Sequence, residues 1–115
     1  MLPVKFAPGV QDDLLALDAQ LRAVAFAWMT RLRREPLLGK PLQYRYGQDL
    51  QGARKLYVGR QDRPSNPLSK PTLTVGGPPV RIAYEVQPDE RAPQRILILA
   101  IGAKPDIYDN AATRR

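Results

Sequence analysis

The chain contains neither cysteine nor histidine. Without cysteine there is no disulfide framework and no thiolate metal centre. Without histidine the commonest metal ligand and the commonest general acid–base are both missing. No run approaches the roughly 18 apolar residues that a membrane span needs. The opening MLPVKFAPG lacks the apolar stretch of a signal peptide, so a cytoplasmic location is expected. Phosphate-binding patterns are absent as well: no GxGxxG follows a strand, and no GxxxxGK[ST] occurs. HExxH is impossible without histidine, so neither a metal nor a small-molecule cofactor is expected. There is no internal repeat and no sign of a second domain.

What the chain does have is positive charge. Its 115 residues carry 18 Lys plus Arg against 11 Asp plus Glu, a formal net charge of +7. Such a balance favours polyanions, because each neutralised phosphate releases condensed counterions. Hydrophobic residues make up 43%, enough for one modest core.

The apolar spacing divides the chain into two halves. LPVKF, closed by Pro8-Gly9, reads as a first strand. Val10, Leu14, Leu17 and Leu21 share one helical face, and Leu21, Ala25, Trp28 and Leu32 repeat the spacing. Asp12 and Asp13 suit a helix start, Arg31, Arg33 and Arg34 a helix end, and Pro36 a stop. A break near Asp18–Gln20 makes these a helical hairpin or one bent helix. From Leu42 the period becomes two, with Leu42, Tyr44 and Tyr46 alternating with Gln43 and Arg45. Gly47 and Gly52 flank an expected turn. In ARKLYVG, Arg54, Leu56 and Val58 face one way, and Ala53, Lys55 and Tyr57 the other. In VRIAYEV, Val80, Ile82, Tyr84 and Val86 oppose Arg81, Ala83 and Glu85. RILILAIG is apolar on both faces, as a central strand is. Pro105 opens a short C-terminal helix. Residues 61–79 are rich in Pro and Gly, and an insert of that length inside a compact domain is often functional. Its TLTV segment reads as a short strand extending a hairpin.

The expectation is one α+β domain over residues 1–115: an N-terminal strand, two helices on one face of a mainly antiparallel sheet of about five strands, and a short C-terminal helix. The opposite face would expose Lys55, Tyr57 and Arg81. Lys104 and Tyr108 follow the last strand, one helical turn apart. These residue types suit RNA cleavage in which the substrate's own 2′-hydroxyl attacks the adjacent phosphate. Arg provides a planar clamp, Lys holds charge or moves a proton, and Tyr stacks on a base or shuttles a proton.

In order and spacing the chain resembles the RelE/ParE superfamily of bacterial toxins over nearly its whole length. VKFAPGVQDDLLAL is similar to the family's first strand and helix. LRREPLLGKPLQYRYGQDLQGARKLYVG, VRIAYEV and ILILAIGAKPDIYDNA are similar to its later blocks. The resemblance implies the toxin of a type II toxin–antitoxin module, a ribosome-dependent endoribonuclease (an mRNA interferase) with ribosome, mRNA and a cognate antitoxin as partners. Lys55, Arg81, Lys104 and Tyr108 match its catalytic pattern, and Arg45, Arg54 and Tyr57 are the residues expected on the RNA. Where Lys104 stands the family more often has arginine, and a second family lysine falls here on Ala53. ParE-like members poison DNA gyrase instead, and a catalytically silent interaction domain is the other alternative.

Overall fold

A computed structural model describes residues 1–60 and 79–115. The TLTV strand and nearly all of the 61–79 insert lie outside the described residues. The elements run β1 (Val4–Phe6), α1 (Val10–Leu15), α2 (Ala19–Leu32), β2 (Lys40–Arg45), β3 (Gln48–Arg60), β4 (Pro79–Gln87), β5 (Arg95–Gly102) and α3 (Asp106–Arg114). Among them, no helix is long and apolar enough to cross a membrane.

The five strands form one sheet in the order β1-β5-β4-β3-β2. β1 runs parallel to β5, and every other pair is antiparallel. The helical spacing divides the first helical region as expected. α1 ends at Leu15, and the Asp18 carboxylate accepts a hydrogen bond from the Leu21 N–H at 2.8 Å, capping α2. Met29, not Trp28, is the fully buried residue of that turn. Trp28 lies at the core's edge, with the Arg31 guanidinium 5.4 Å over its ring.

The strand alternation separates two cores. Leu56, Val58, Val80, Ile82, Tyr84 and Val86 pack under α1 and α2. Leu42, Leu50, Ala53, Ala83, Leu99 and Ala100 pack under Ile107, Tyr108 and Ala111 of α3. The second core corrects the one-sided layering expected from sequence, because α3 covers part of the face that was to be open. Small residues at Ala53, Ala83 and Ala100 leave room for a helix to lie close to the strands.

Two local expectations also change. The turn is Tyr46-Gly47, and Gly52 lies inside β3 with φ 88° rather than flanking a turn. A bulge between Pro41 and Gln43, with Gln43 at φ 58°, interrupts the alternation of β2. Leu42 is therefore buried while Tyr44 remains 61% exposed.

Candidate functional site

The register of three strands builds the site. Tyr57 of β3 pairs with Arg81 of β4, and Arg81 pairs with Gly102 at the end of β5. Lys55 pairs with Ala83 on one side and with Lys40 of β2 on the other. Lys55 and Tyr57, two residues apart on one strand, thus share a face with Arg81 beside the edge of α3. Gly102 brings no side chain, and the space above it is open. Bulges at Tyr57/Gly59 and at Ala83/Tyr84 bracket this region and re-aim its side chains. Lys40, Lys55, Tyr57 and Arg81, with Leu38 and Leu56, line a groove of about 320 Å³.

Among the described residues, the charges around Lys55 are cationic. Partial burial lowers the pKa of the Lys55 ammonium, and Arg45, Arg81, Lys104 and Lys40 lower it further. Among the described residues, the four charges that act on Lys55 are all cations. Burial raises the pKa of the Tyr108 phenol, while Arg81 and Arg45 work against that rise. The Tyr108 ring stacks on Tyr46 with centroids 5.7 Å apart and planes inclined by 18°. Arg81 Nη1 and Tyr108 Oη are both buried without a hydrogen-bond partner among the described residues. Orphaned buried groups are costly, and here the Arg81 charge acts on the Tyr108 phenol, so both belong to one cationic environment.

Of the residues singled out in the sequence, Lys55, Arg81, Tyr108 and Arg45 fall into one electrostatic cluster. The exposed Lys104 stands two residues beyond β5 and acts on Lys55. Tyr57 lines the groove and is 51% exposed. Arg54 does not join them. It pairs across β3 and β4 with Tyr84, a residue of the core under α1 and α2. There its guanidinium holds Glu90 at 2.6 and 3.1 Å and donates to the carbonyls of Gly39 at 2.6 Å and Leu37 at 3.3 Å. Two residues went unnoticed in the sequence. Lys40 joins Lys55 only through the β2–β3 register, and Tyr46 reaches Tyr108 only through a tight turn that the dipeptide Tyr46-Gly47 does not announce.

A larger cavity of about 640 Å³ lies toward the far end of β4, among Glu85, Asp89, Glu90, Arg91 and Arg95. Its mixture of carboxylates and guanidinium groups gives a polyanion no uniform field.

No family model matches the chain, and no curated protein matches it in sequence. Solved structures do match in fold. A chain of the toxin–antitoxin complex RelBE2 from Mycobacterium tuberculosis is 23% identical with a TM-score of 0.58, over 90% of this chain and 98% of that one. A double arginine-to-alanine mutant of the E. coli toxin RelE, in the free state, is 13% identical with a TM-score of 0.64, over 98% of this chain and 96% of that one. The chain has the RelE-like toxin fold.

Proposed function

We propose that the protein is the toxin of a type II toxin–antitoxin module, acting in the cytoplasm as a ribosome-dependent endoribonuclease that cleaves mRNA and stops translation. The observation that carries this reading is the pair of orphaned atoms, Arg81 Nη1 and Tyr108 Oη, within a cluster of cations.

Cleavage by the substrate's 2′-hydroxyl forms a bond from that oxygen to the adjacent phosphorus and breaks the bond from phosphorus to the 5′-oxygen. One proton leaves the nucleophile and another reaches the leaving oxygen. Negative charge builds on the phosphorane between these events, and the Arg81 guanidinium is suited to hold it. Lys55, with its pKa lowered by burial and by its cationic neighbours, is the side chain assigned here to accept the first proton. Tyr108, with its pKa raised by burial, keeps its proton at neutral pH and can supply the second. Lys104 and Arg45 add to the field that draws the phosphate in. Arg54, committed to Glu90 and to two carbonyls, has a structural part in this scheme.

A net charge of +7 also suits an acidic, partly disordered antitoxin segment that folds as it wraps the toxin. The test of function is single-turnover cleavage of a message bound to purified ribosomes. The expected result is a discrete cut that disappears in Arg81→Ala. Arrest of growing cells with intact messages and altered DNA supercoiling would overturn it and point to gyrase.

A further inference from the structure

Tyr46 stands where a tyrosine is disfavoured. With Gly47 it connects β2 to β3, between the paired residues Arg45 and Gln48. Both turn residues have positive φ, 50° and 78°. Two successive left-handed residues make the tight hairpin turn whose preferred sequence is Asn-Gly, because glycine has no Cβ to clash and asparagine's short side chain can hydrogen-bond locally, neither of which holds for tyrosine. Strain of this kind persists only where something holds it. What holds it here is the stack on Tyr108, which covers one face of the ring. Tyr46 nonetheless remains 59% exposed.

Cover for Tyr108 alone does not call for this arrangement. The next residue back is Arg45, whose charge acts on both Lys55 and Tyr108. Through its stack on Tyr108 and its neighbour Arg45, Tyr46 adjoins the cation cluster. A single RNA strand needs such a neighbourhood: cations for its phosphates and a backed aromatic face for an unstacked base.

We propose that Tyr46 is a nucleobase platform, stacking a base of single-stranded RNA beside the phosphate held at Lys55 and Arg81. Its role is to position the strand, and it takes no part in proton transfer. The platform rests on the ribonuclease reading above, which supplies the substrate.

The test uses Tyr46→Phe, which keeps the ring, and Tyr46→Asn, which removes it while suiting the turn. Thermal unfolding establishes that both variants are folded. The first measurement is fluorescence anisotropy with a short labelled oligouridine and with an abasic ribose-phosphate strand of the same length and charge. The wild type should prefer the base-bearing strand by roughly tenfold, the scale of one base–aromatic stack. Tyr46→Phe should keep that preference. Tyr46→Asn should lose it and retain its affinity for the abasic strand. The second measurement is steady-state cleavage of ribosome-bound message, where Tyr46→Asn should raise KM and leave kcat nearly unchanged.

If wild type and Tyr46→Asn show the same base preference, the platform is refuted even when the wild type cleaves. A fall in kcat with that preference intact would likewise refute it, leaving Tyr46 as cover for Tyr108. A wild type that prefers bases through Tyr46 but cuts no message would overturn the ribonuclease reading alone.

Discussion

Asp13 and Arg114, 101 residues apart in the chain, form an ion pair at 2.6 Å that fastens the end of α3 to α1. The Asp13 carboxylate also accepts the Ile101 N–H at 3.1 Å, and Arg114 donates to the Leu99 carbonyl at 3.1 Å. The fit is close: a Cβ on Gly9 would lie 2.6 Å from Arg114 Nη2. α3 is the element that delivers Tyr108, so the clamp serves the site from a distance. Both side chains are mostly buried, at 18% and 14% exposure. Arg114→Ala should cost about 2 kcal/mol, below the figure for a fully buried pair. Thermal unfolding gives the stability loss, and amide exchange across α3 should rise with it.

Arg81→Ala should slow cleavage about a hundredfold or more, on the order of 3 kcal/mol of transition-state stabilisation. Its effect on stability should stay within about 0.5 kcal/mol, because the buried Nη1 has no hydrogen-bond partner among the described residues. Arg81→Lys should recover part of the rate at most, since an ammonium lacks the planar fork. Single-turnover rates and melting temperatures of the three proteins decide this. Full cleavage by a folded Arg81→Ala protein would remove Arg81 from the mechanism.

The pH dependence follows from two opposite shifts. Lys55 must be neutral to accept a proton, and its pKa is lowered; Tyr108 must be protonated to donate one, and its pKa is raised. The rate should rise through the lowered Lys55 value, hold across a plateau, and fall only above the ordinary tyrosine range. Tyr108→Phe should abolish the alkaline fall and lower the rate, without loss of stability, since it deletes a hydroxyl that has no hydrogen-bond partner among the described residues. An unchanged profile in Tyr108→Phe would exclude the phenol as the acid.

The same Lys55 shift bears on folding. Between its lowered folded value and the unfolded value of about 10.4, the unfolded chain binds more protons, so stability rises with pH in that window. Lys55→Gln should raise the melting temperature at pH 7 and flatten its climb on the alkaline side, below the ordinary lysine range, while cleavage falls. A gain of stability with loss of activity is the expected signature of a strained site.

On the opposite face, Arg54 and Tyr84 grip one segment. The Tyr84 hydroxyl accepts the Gly39 N–H and donates to the Pro36 carbonyl, each at 2.8 Å. Tyr84→Phe should cost about 2 kcal/mol, because both backbone groups lose their partner inside the protein. The hydrogen bond from Arg54 holds the Glu90 carboxyl below the usual carboxylate range. That contribution is complete above the unfolded value of about 4.3 and is lost as pH falls through the folded one. Glu90→Gln should therefore show a shallower decline in melting temperature on acidification, with cleavage at pH 7 preserved. A drop in RNA affinity in either variant would contradict the structural part assigned to Arg54.

Much of this architecture was legible in the chain because periodicity is local. Val80, Ile82, Tyr84 and Val86 alternate with Arg81, Ala83 and Glu85 whatever the sheet's neighbours, so Lys55 and Arg81 could each be assigned a face. A break near Asp18–Gln20 was readable from the apolar spacing, and the structure places the Asp18 cap there. The covering of the second face by α3 was not readable, since Ile107, Tyr108 and Ala111 make a stripe too narrow to say what it covers. Nor were the Gln43 bulge and the Tyr46-Gly47 turn, which decide where Tyr44 and Tyr46 point.

By itself, the sequence determined the chemistry available: cations and phenols in place of thiols and imidazoles, set on alternating strands. Tertiary structure decided which of them act together. Arg54 and Lys55 are adjacent in the chain, yet the pleat turns one toward Glu90 and the other toward Arg81. Tyr46 and Tyr108 come from distant segments and meet only because α3 docks on the sheet, while strand register alone sets Lys40 beside Lys55. Such contacts depend on closing long loops, and no local propensity encodes that closure.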